Sequence, residues 1–286
     1  MREKPESERS LAHWLNPETA GRFQALKHEV LGLVKGATQE GDFLLYTDHY
    51  AGHAERVVEL TDRLIPPQVR TQLNNTEIFV LLCAAYLHDI GMSVFPTAAS
   101  PEVVRERHGA LSMQVIDEHR TELPLTSVEA NAVGALSLAH THADLSRVPQ
   151  EENIGANEVR MRFLAALLRL ADALDIDYAR MPPLPSRGAD IPAEVRHRLR
   201  MSRGVSRIDL RPEEQRIVLR IAPSIDVEPD KVVFWATKKA QEIKKCLEES
   251  SAALEANGIS YKDVKVVLES PPSPSIAARQ LDGKDD

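Results

Sequence analysis

Four positions in this 286-residue chain carry side chains that can hold a cation. The stretch "AAYLHDIGM", Ala84 to Met92, is an apolar run that ends in His88 and Asp89 side by side. His53 lies on the preceding helical segment, and Asp172 interrupts the apolar "LLRLADAL". Burying a neutral polar group without a partner costs roughly 2–7 kcal/mol, and a charge costs more. An acid inside such a helix is therefore paired or binds a metal. Two imidazoles and two carboxylates form a mixed N/O set suited to Mn, Fe, Co, Ni or Zn more than to Ca or Mg alone. Adjacent His and Asp cannot share one helical face, so the pair is expected where a helix ends.

The elements that must position these groups are mostly helical. Residues 11–40 read as a helical lead-in, with Leu15, Phe23, Leu26, Val30 and Leu33 as its apolar positions. "LLYTDHYAGHAERVVELTDRLIP" predicts a helix up to Pro66, with Val57, Leu60 and Leu64 at helical spacing. "LNNTEIFVLLCAAYLHDIG" opens with Asn74 and Glu77 at capping-box spacing and is expected to stop at Gly91. It is apolar nearly all round, so it should be central. "SPEVVRERHGALSMQVIDEH" predicts a loop and then a helix; "SVEANAVGALSLAHTH" predicts another, with Ser127 and Glu129 near its start. "NEVRMRFLAALLRLADALDID" predicts a buried helix that ends before "RMPPLP". The fold class is thus mainly α over roughly 180 residues, followed by a small α/β module. In that module "RIDL" and "RIVLRI" are strands joined by "RPEEQ". Asp230 to Ala256 is an amphipathic helix closed by Gly258, and "KDVKVVLE" is a third strand, giving ββαβ. The domain boundaries expected are 1–41 for the lead-in, 42–182 for the helical domain, 183–270 for a basic linker and the module, and 271–286 for a disordered tail.

Composition narrows the function. The chain is 43% hydrophobic and 27% charged, as soluble globular proteins are. No apolar run approaches the ~20 residues that span a bilayer, and "MREKPESERS" lacks a signal-peptide core, so no membrane partner and a cytoplasmic location are expected. Cys83 and Cys246 both lie in helical patterns, which argues against a disulfide framework. A net charge of −8 argues against binding long nucleic acid. Charge is uneven, however: Arg187, Arg196, Arg198, Arg200, Arg203, Arg207, Arg211 and Arg216 cluster with few acids between. They form either a solvated face or a wall that attracts phosphate.

The order His53, His88–Asp89, Asp172 resembles the HD-domain metal-dependent phosphohydrolases, with "GHAERV" and "YLHDIG" carrying the likeness over about residues 42–182. The resemblance implies a helical fold, a divalent metal held by His53, His88, Asp89 and Asp172, and phosphate-ester hydrolysis by a metal-activated hydroxide. In binuclear members, histidines placed as His108 and His140 are hold a second ion, with Asp89 bridging; alternatively the two bind substrate phosphate beside one metal. His142 competes with His140, since two residues apart on a helix they point in nearly opposite directions. Arg56 is a candidate catalytic residue that neutralises a phosphate oxygen, or else pairs with a ligand carboxylate. His49, one turn before His53, supports a ligand or sits on the surface. Arg169 and Arg180 either reach a phosphate or, for Arg169, pair with Asp172 or Asp175. The finer resemblance is to the bacterial HD-CE group of conflict and phage-defence loci, carried by "YTDHYAGHAERV", "AAYLHDIGM" and "LAALLRLADALDIDYARMP" with a small α/β module after them. It implies a nucleotide-type substrate and two divalent ions, with manganese among the candidates and Mg allowed. It also implies a homo-oligomer or a separately encoded ATPase partner, because the chain has no G-x-x-x-x-G-K-[ST] pattern of its own. A GYP signature of cyclic-di-GMP phosphodiesterases is missing as well. The other reading is a nucleotide-binding HD module that regulates a partner protein. The α/β module is read as a packing lid or as an oligomer interface.

Overall fold

The structure, a computed structural model, describes residues 10–37, 43–94, 101–141, 144–176, 201, 204–222 and 229–269. The tail from Pro271, Arg180, His142 and the basic positions Arg187, Arg196, Arg198, Arg200 and Arg203 lie outside the described residues, as does the side chain of His49. The architecture is mainly α with a small α/β part. A 3₁₀ turn (Leu11–Trp14) leads into α1 (Pro17–Ala37), α2 (Phe43–Leu64), the single turn α3 (Pro67–Arg70) and α4 (Asn75–Leu87). Then follow α5 (Ile90–Val94), α6 (Pro101–Glu118), α7 (Ser127–Ala139) and α8 (Met161–Ala173).

Helix α4 is the centre of the bundle, buried without interruption from Glu77 to Leu87. Together with α5 it makes a stretch, Asn75–Ser93, long and apolar enough to cross a membrane; 83% of that window is buried inside the fold, where α1, α2, α7 and α8 cover it. Its capping box forms as the spacing predicts, with Asn74 accepting from the Glu77 N–H and Glu77 accepting from the Asn74 N–H. Glu77 is 1% exposed and also accepts from Arg160, the N-cap residue of α8, at 2.7 Å and 2.8 Å. One node therefore starts both α4 and α8. Each runs 13 residues, about 20 Å at 1.5 Å per residue, so their far ends fall at a common level. Those far ends carry His88 and Asp172.

The sequence expectation differs from the structure at two helix boundaries. Helix α4 ends at Leu87 with His88 as its C-cap, and Gly91 lies inside α5 and does not stop the helix. A Cβ on Gly91 would lie 2.5 Å from the Ser112 backbone nitrogen, so this glycine is required by the close crossing of α5 and α6. Residues Asn157–Val159 are not the start of α8. They form β2, paired antiparallel with β1 (Glu152–Ile154) across a turn at Gly155, whose φ is +62°. The apolar ends Ile154 and Val159 are buried while the polar residues stay out.

The α/β module contains β3 (Val205–Arg211), β4 (Arg216–Ile221), α9 (Pro229–Glu255) and β5 (Asp263–Leu268). The sheet order is β3-β4-β5, with β3/β4 antiparallel, β4/β5 parallel and α9 as the crossover. The turn "RPEEQ" closes through Gln215 at φ 50°, and Gly258 ends α9 at φ +81°. Val205, Ile208, Ile217, Leu219, Ile243 and Leu247 belong to the same buried cluster as the helices, so the hydrophobic core runs through both parts. Cys83 and Cys246 are buried and free. Of the basic stretch, the described arginines are matched by acids: Arg207 with Asp209 at 3.2 Å, Arg211 with Glu214 at 2.9 Å, and Arg216 with Glu214 at 2.8 Å. This part is a solvated, charge-balanced face, and exposed pairs of this kind contribute about 0–1 kcal/mol each.

Candidate metal centre

Six side chains converge where α2, α4, α6, α7 and α8 meet. His53 comes from the middle of α2, His88 from the C-cap of α4 and Asp89 from the residue between α4 and α5. His108 comes from α6, His140 from the C-cap of α7 and Asp172 from the last turn of α8. Their donor atoms form overlapping groups in which all atoms lie within 4.8 Å of one another: His53, His88, Asp89; His88, His140, Asp172; and Asp89, His108, His140.

The histidine tautomers follow from their partners. His88 Nδ1 faces the Ala85 carbonyl at 3.0 Å and His108 Nδ1 the Arg105 carbonyl at 2.6 Å; His140 Nδ1 faces the Ser137 carbonyl. A carbonyl only accepts, so each Nδ1 carries the proton. His53 Nδ1 donates to the Asp175 carboxylate at 2.6 Å. Each neutral imidazole then presents a bare lone pair at Nε2. Yet His53 Nε2 is 3.0 Å from His88 Nε2, and His108 Nε2 is 2.9 Å from His140 Nε2. Two lone pairs at that distance repel unless a metal ion lies beside them or a proton on one Nε2 joins them.

Asp89 joins the two histidine pairs. Its Oδ2 lies 3.5 Å and 3.7 Å from Nε2 of His53 and His88, and its Oδ1 lies 3.4 Å from Nε2 of both His108 and His140. Oδ1 is buried and has no hydrogen-bond partner among the described residues. An orphaned, ionised oxygen facing two imidazole lone pairs fits a divalent cation, and the N/O donor set suits a transition metal. Asp172 Oδ1 closes the first side at 3.3 Å from His53 and 3.7 Å from His88.

Charge shifts follow the same geometry in the metal-free chain. Burial works against charging His53 and His88, but the carboxylates of Asp172 and Asp175 for the first, and of Asp89 and Asp172 for the second, outweigh it and raise both above the ordinary histidine value. For His140 burial wins over Asp89 and the value falls. Burial would raise Asp89 and Asp172, yet the surrounding imidazoles hold both well below the usual carboxylate range.

The two described arginines among the phosphate-binding candidates, Arg56 and Arg169, both have partners in the fold. Arg56 is 9% exposed and grips Asp175 with two bonds, Nε to Oδ1 at 2.6 Å and Nη2 to Oδ2 at 2.9 Å. It pairs with a carboxylate, and that carboxylate holds His53. Arg169 is 6% exposed and donates from Nε and Nη2 to the Ala139 carbonyl at 3.2 Å and 2.6 Å, with Glu249 of α9 at 3.4 Å. It braces the end of α7 next to His140.

Two functional features escaped the sequence reading. Asp175 was seen only as a partner for Arg169, although an acid three residues after Asp172 lies on the same side of the chain. Gly109 is the other: a Cβ there would lie 2.7 Å from Thr141 Cγ2 and 2.9 Å from the Ser137 oxygen, the same oxygen that takes the His140 proton. The missing side chain lets α6 and α7 approach until His108 and His140 meet. Gly109→Ala should therefore weaken metal binding at the His108–His140 pair about tenfold and cost about 1–3 kcal/mol of stability through overpacking. Metal titration with thermal melting checks this; unchanged metal affinity would show that the close crossing is not required.

The HD-CE family model matches residues 43–248, from the start of α2 into α9. The chain belongs to the HD-CE family. No curated protein matches it in sequence. The HD-CE match and the His/Asp groups together fit an HD-type hydrolase. The matched span of this HD-CE chain includes all six converging residues and most of the α/β module.

Proposed function

We propose that this HD-CE protein is a metal-dependent phosphohydrolase of nucleotide-type phosphate esters, a phosphodiesterase or nucleotidase of the cytoplasm that works in a phage-defence setting. The carrying observation is Asp89, whose two oxygens each face a separate pair of imidazole lone pairs. His53, His88, Asp172 and Oδ2 of Asp89 would hold one ion, and His108, His140 and Oδ1 of Asp89 the other. When bound, two such ions act as Lewis acids toward phosphate oxygens and lower the pKa of water from 15.7 toward about 7.

The chain's own residues prepare that chemistry. Asp175, clamped by Arg56, keeps the His53 proton on Nδ1 and its lone pair inward. The carbonyls of Ala85, Arg105 and Ser137 do the same for His88, His108 and His140. Such partners typically matter 10–100-fold in metal affinity or activity. His88 and His140, 1% exposed in their side chains, close the floor of the site against water.

The experiment is a panel of nucleotides incubated with the purified chain and Mn, Fe, Co, Ni, Zn or Mg. Phosphate or nucleotide release that EDTA abolishes is expected. Metal and nucleotide binding without any turnover would replace hydrolysis with a regulatory role.

A further inference from the structure

Exposure is uneven around the centre. The side chains of Asp172, His53 and His108 keep 31%, 21% and 20% of their surface, against 1% for His88 and His140. A phosphate ester bound to the centre would meet it at those more exposed residues, with its unreacting part beside them. The cation that meets this part can be found from the arginine donors. On the helices that supply the centre, Arg56 and Arg169 are spent as described, Arg63 donates to the Ile208 carbonyl and Arg162 to those of Val148 and Ser146. Two remain, both exposed and both on α6: the side chains of Arg105 and Arg107 make no hydrogen bond or ion pair among the described residues.

Their directions differ. Residues advance about 100° each around a helix. The inward arc of α6 runs from Val104 through His108 and Ser112 to Gly109, all buried or half-buried. Arg105 falls inside that arc, about 60° from His108, while Arg107 falls about 60° outside it. Arg105 is thus exposed on the side of α6 that carries His108. The (i, i+3) relation sets the two Cβ atoms about 5–6 Å apart, and the Arg105 carbonyl already accepts the His108 proton.

We propose that Arg105 is a specificity-determining residue that holds a second phosphate group of the substrate, so that the preferred substrates are nucleotides with more than one phosphate. This rests on the hydrolase reading. Two divalent ions against Asp89 and Asp172 leave a charge of about +2, enough for one phosphoryl dianion; a second phosphate needs a further cation. A guanidinium fork supplies it with two parallel hydrogen bonds.

The test titrates inorganic phosphate and inorganic tripolyphosphate into the metal-loaded full chain at fixed free manganese. Wild type should prefer tripolyphosphate by about tenfold or more, as a charge-assisted bidentate contact would give. Arg105→Ala and Arg105→Gln should shrink that preference to about threefold or less, with metal content unchanged, while Arg107→Ala keeps it. In turnover, Arg105→Ala should raise KM for a nucleoside triphosphate about tenfold with kcat within about twofold, a loss of uniform binding. Retained preference in both Arg105 variants, or an equal loss in Arg107→Ala, overturns the proposal. If wild type turns over no nucleotide, the hydrolase reading falls, and the binding contrast alone decides the role of Arg105.

Discussion

Asp89→Ala should lose nearly all phosphohydrolase activity, by about 10³-fold or more, equivalent to about 4 kcal/mol of transition-state stabilisation. Each of its oxygens faces two imidazoles, so the substitution removes an oxygen donor from both cation positions at once. His140→Ala should behave differently. It removes one donor from the second position only, and a measurable remainder should persist, larger at high manganese because mass action refills a weakened site. Neither change should unfold the protein: the core is carried by α4 and α8, whose buried runs lie behind the centre. Turnover and metal stoichiometry of both variants, with circular dichroism as the folding control, check this. A folded Asp89→Ala chain that hydrolyses its nucleotide at the wild-type rate contradicts the bridging role.

Metal removal should reverse the pH dependence of stability. Without metal, His53 and His88 have folded values above their ordinary 6.5. Their contribution is full below that value and is lost as pH rises through the raised folded values. His140, shifted down, works in the opposite direction but alone. Asp89, Asp172 and Asp175, all shifted down, contribute above about 3.8 and lose that contribution only as pH falls through their lower values. The metal-free chain should therefore be most stable between about pH 4 and 6.5 and weaken toward pH 8. The metal-loaded chain should gain stability over the same rise, because ligand imidazoles must shed their protons to bind. At a free metal concentration 100–1,000 times Kd the loaded chain should exceed the stripped one by about 3–4 kcal/mol per site. Thermal melts from pH 5.5 to 8.5, with EDTA and with manganese, read both slopes. Parallel slopes, or melting indifferent to EDTA, would rule out imidazole ligation.

The parts of the centre legible in the sequence were those where a polar residue interrupts an apolar helix. His88–Asp89 and Asp172 announce themselves because "FVLLCAAYL" and "LLRLADAL" leave them no reason to be there except a partner. The mainly α class and the ββαβ order followed from periodicity, since "KDVKVVLE" alternates and α4 is apolar nearly all round. What was not legible depends on distance between elements. That Gly91 and Gly109 are contact points, and that Arg56 and Arg169 spend their donors on Asp175 and Ala139, follows from helix crossings no local pattern encodes. Strand β2 reads as the start of α8 because its polar residues Asn157 and Glu158 mimic a helix start, and only Gly155 signals the turn. His88, His108 and His140 share a device that sequence permits but does not reveal: each donates Nδ1–H to the carbonyl three residues before it.

The central claim is that six side chains form one site for two cations. Its most direct measurement is the manganese content of the full-length chain after stripping with EDTA, reloading and desalting. Two ions per chain are expected for wild type, and about one or fewer for Asp89→Ala. No bound manganese in folded wild type, or an unchanged count in Asp89→Ala, would contradict it.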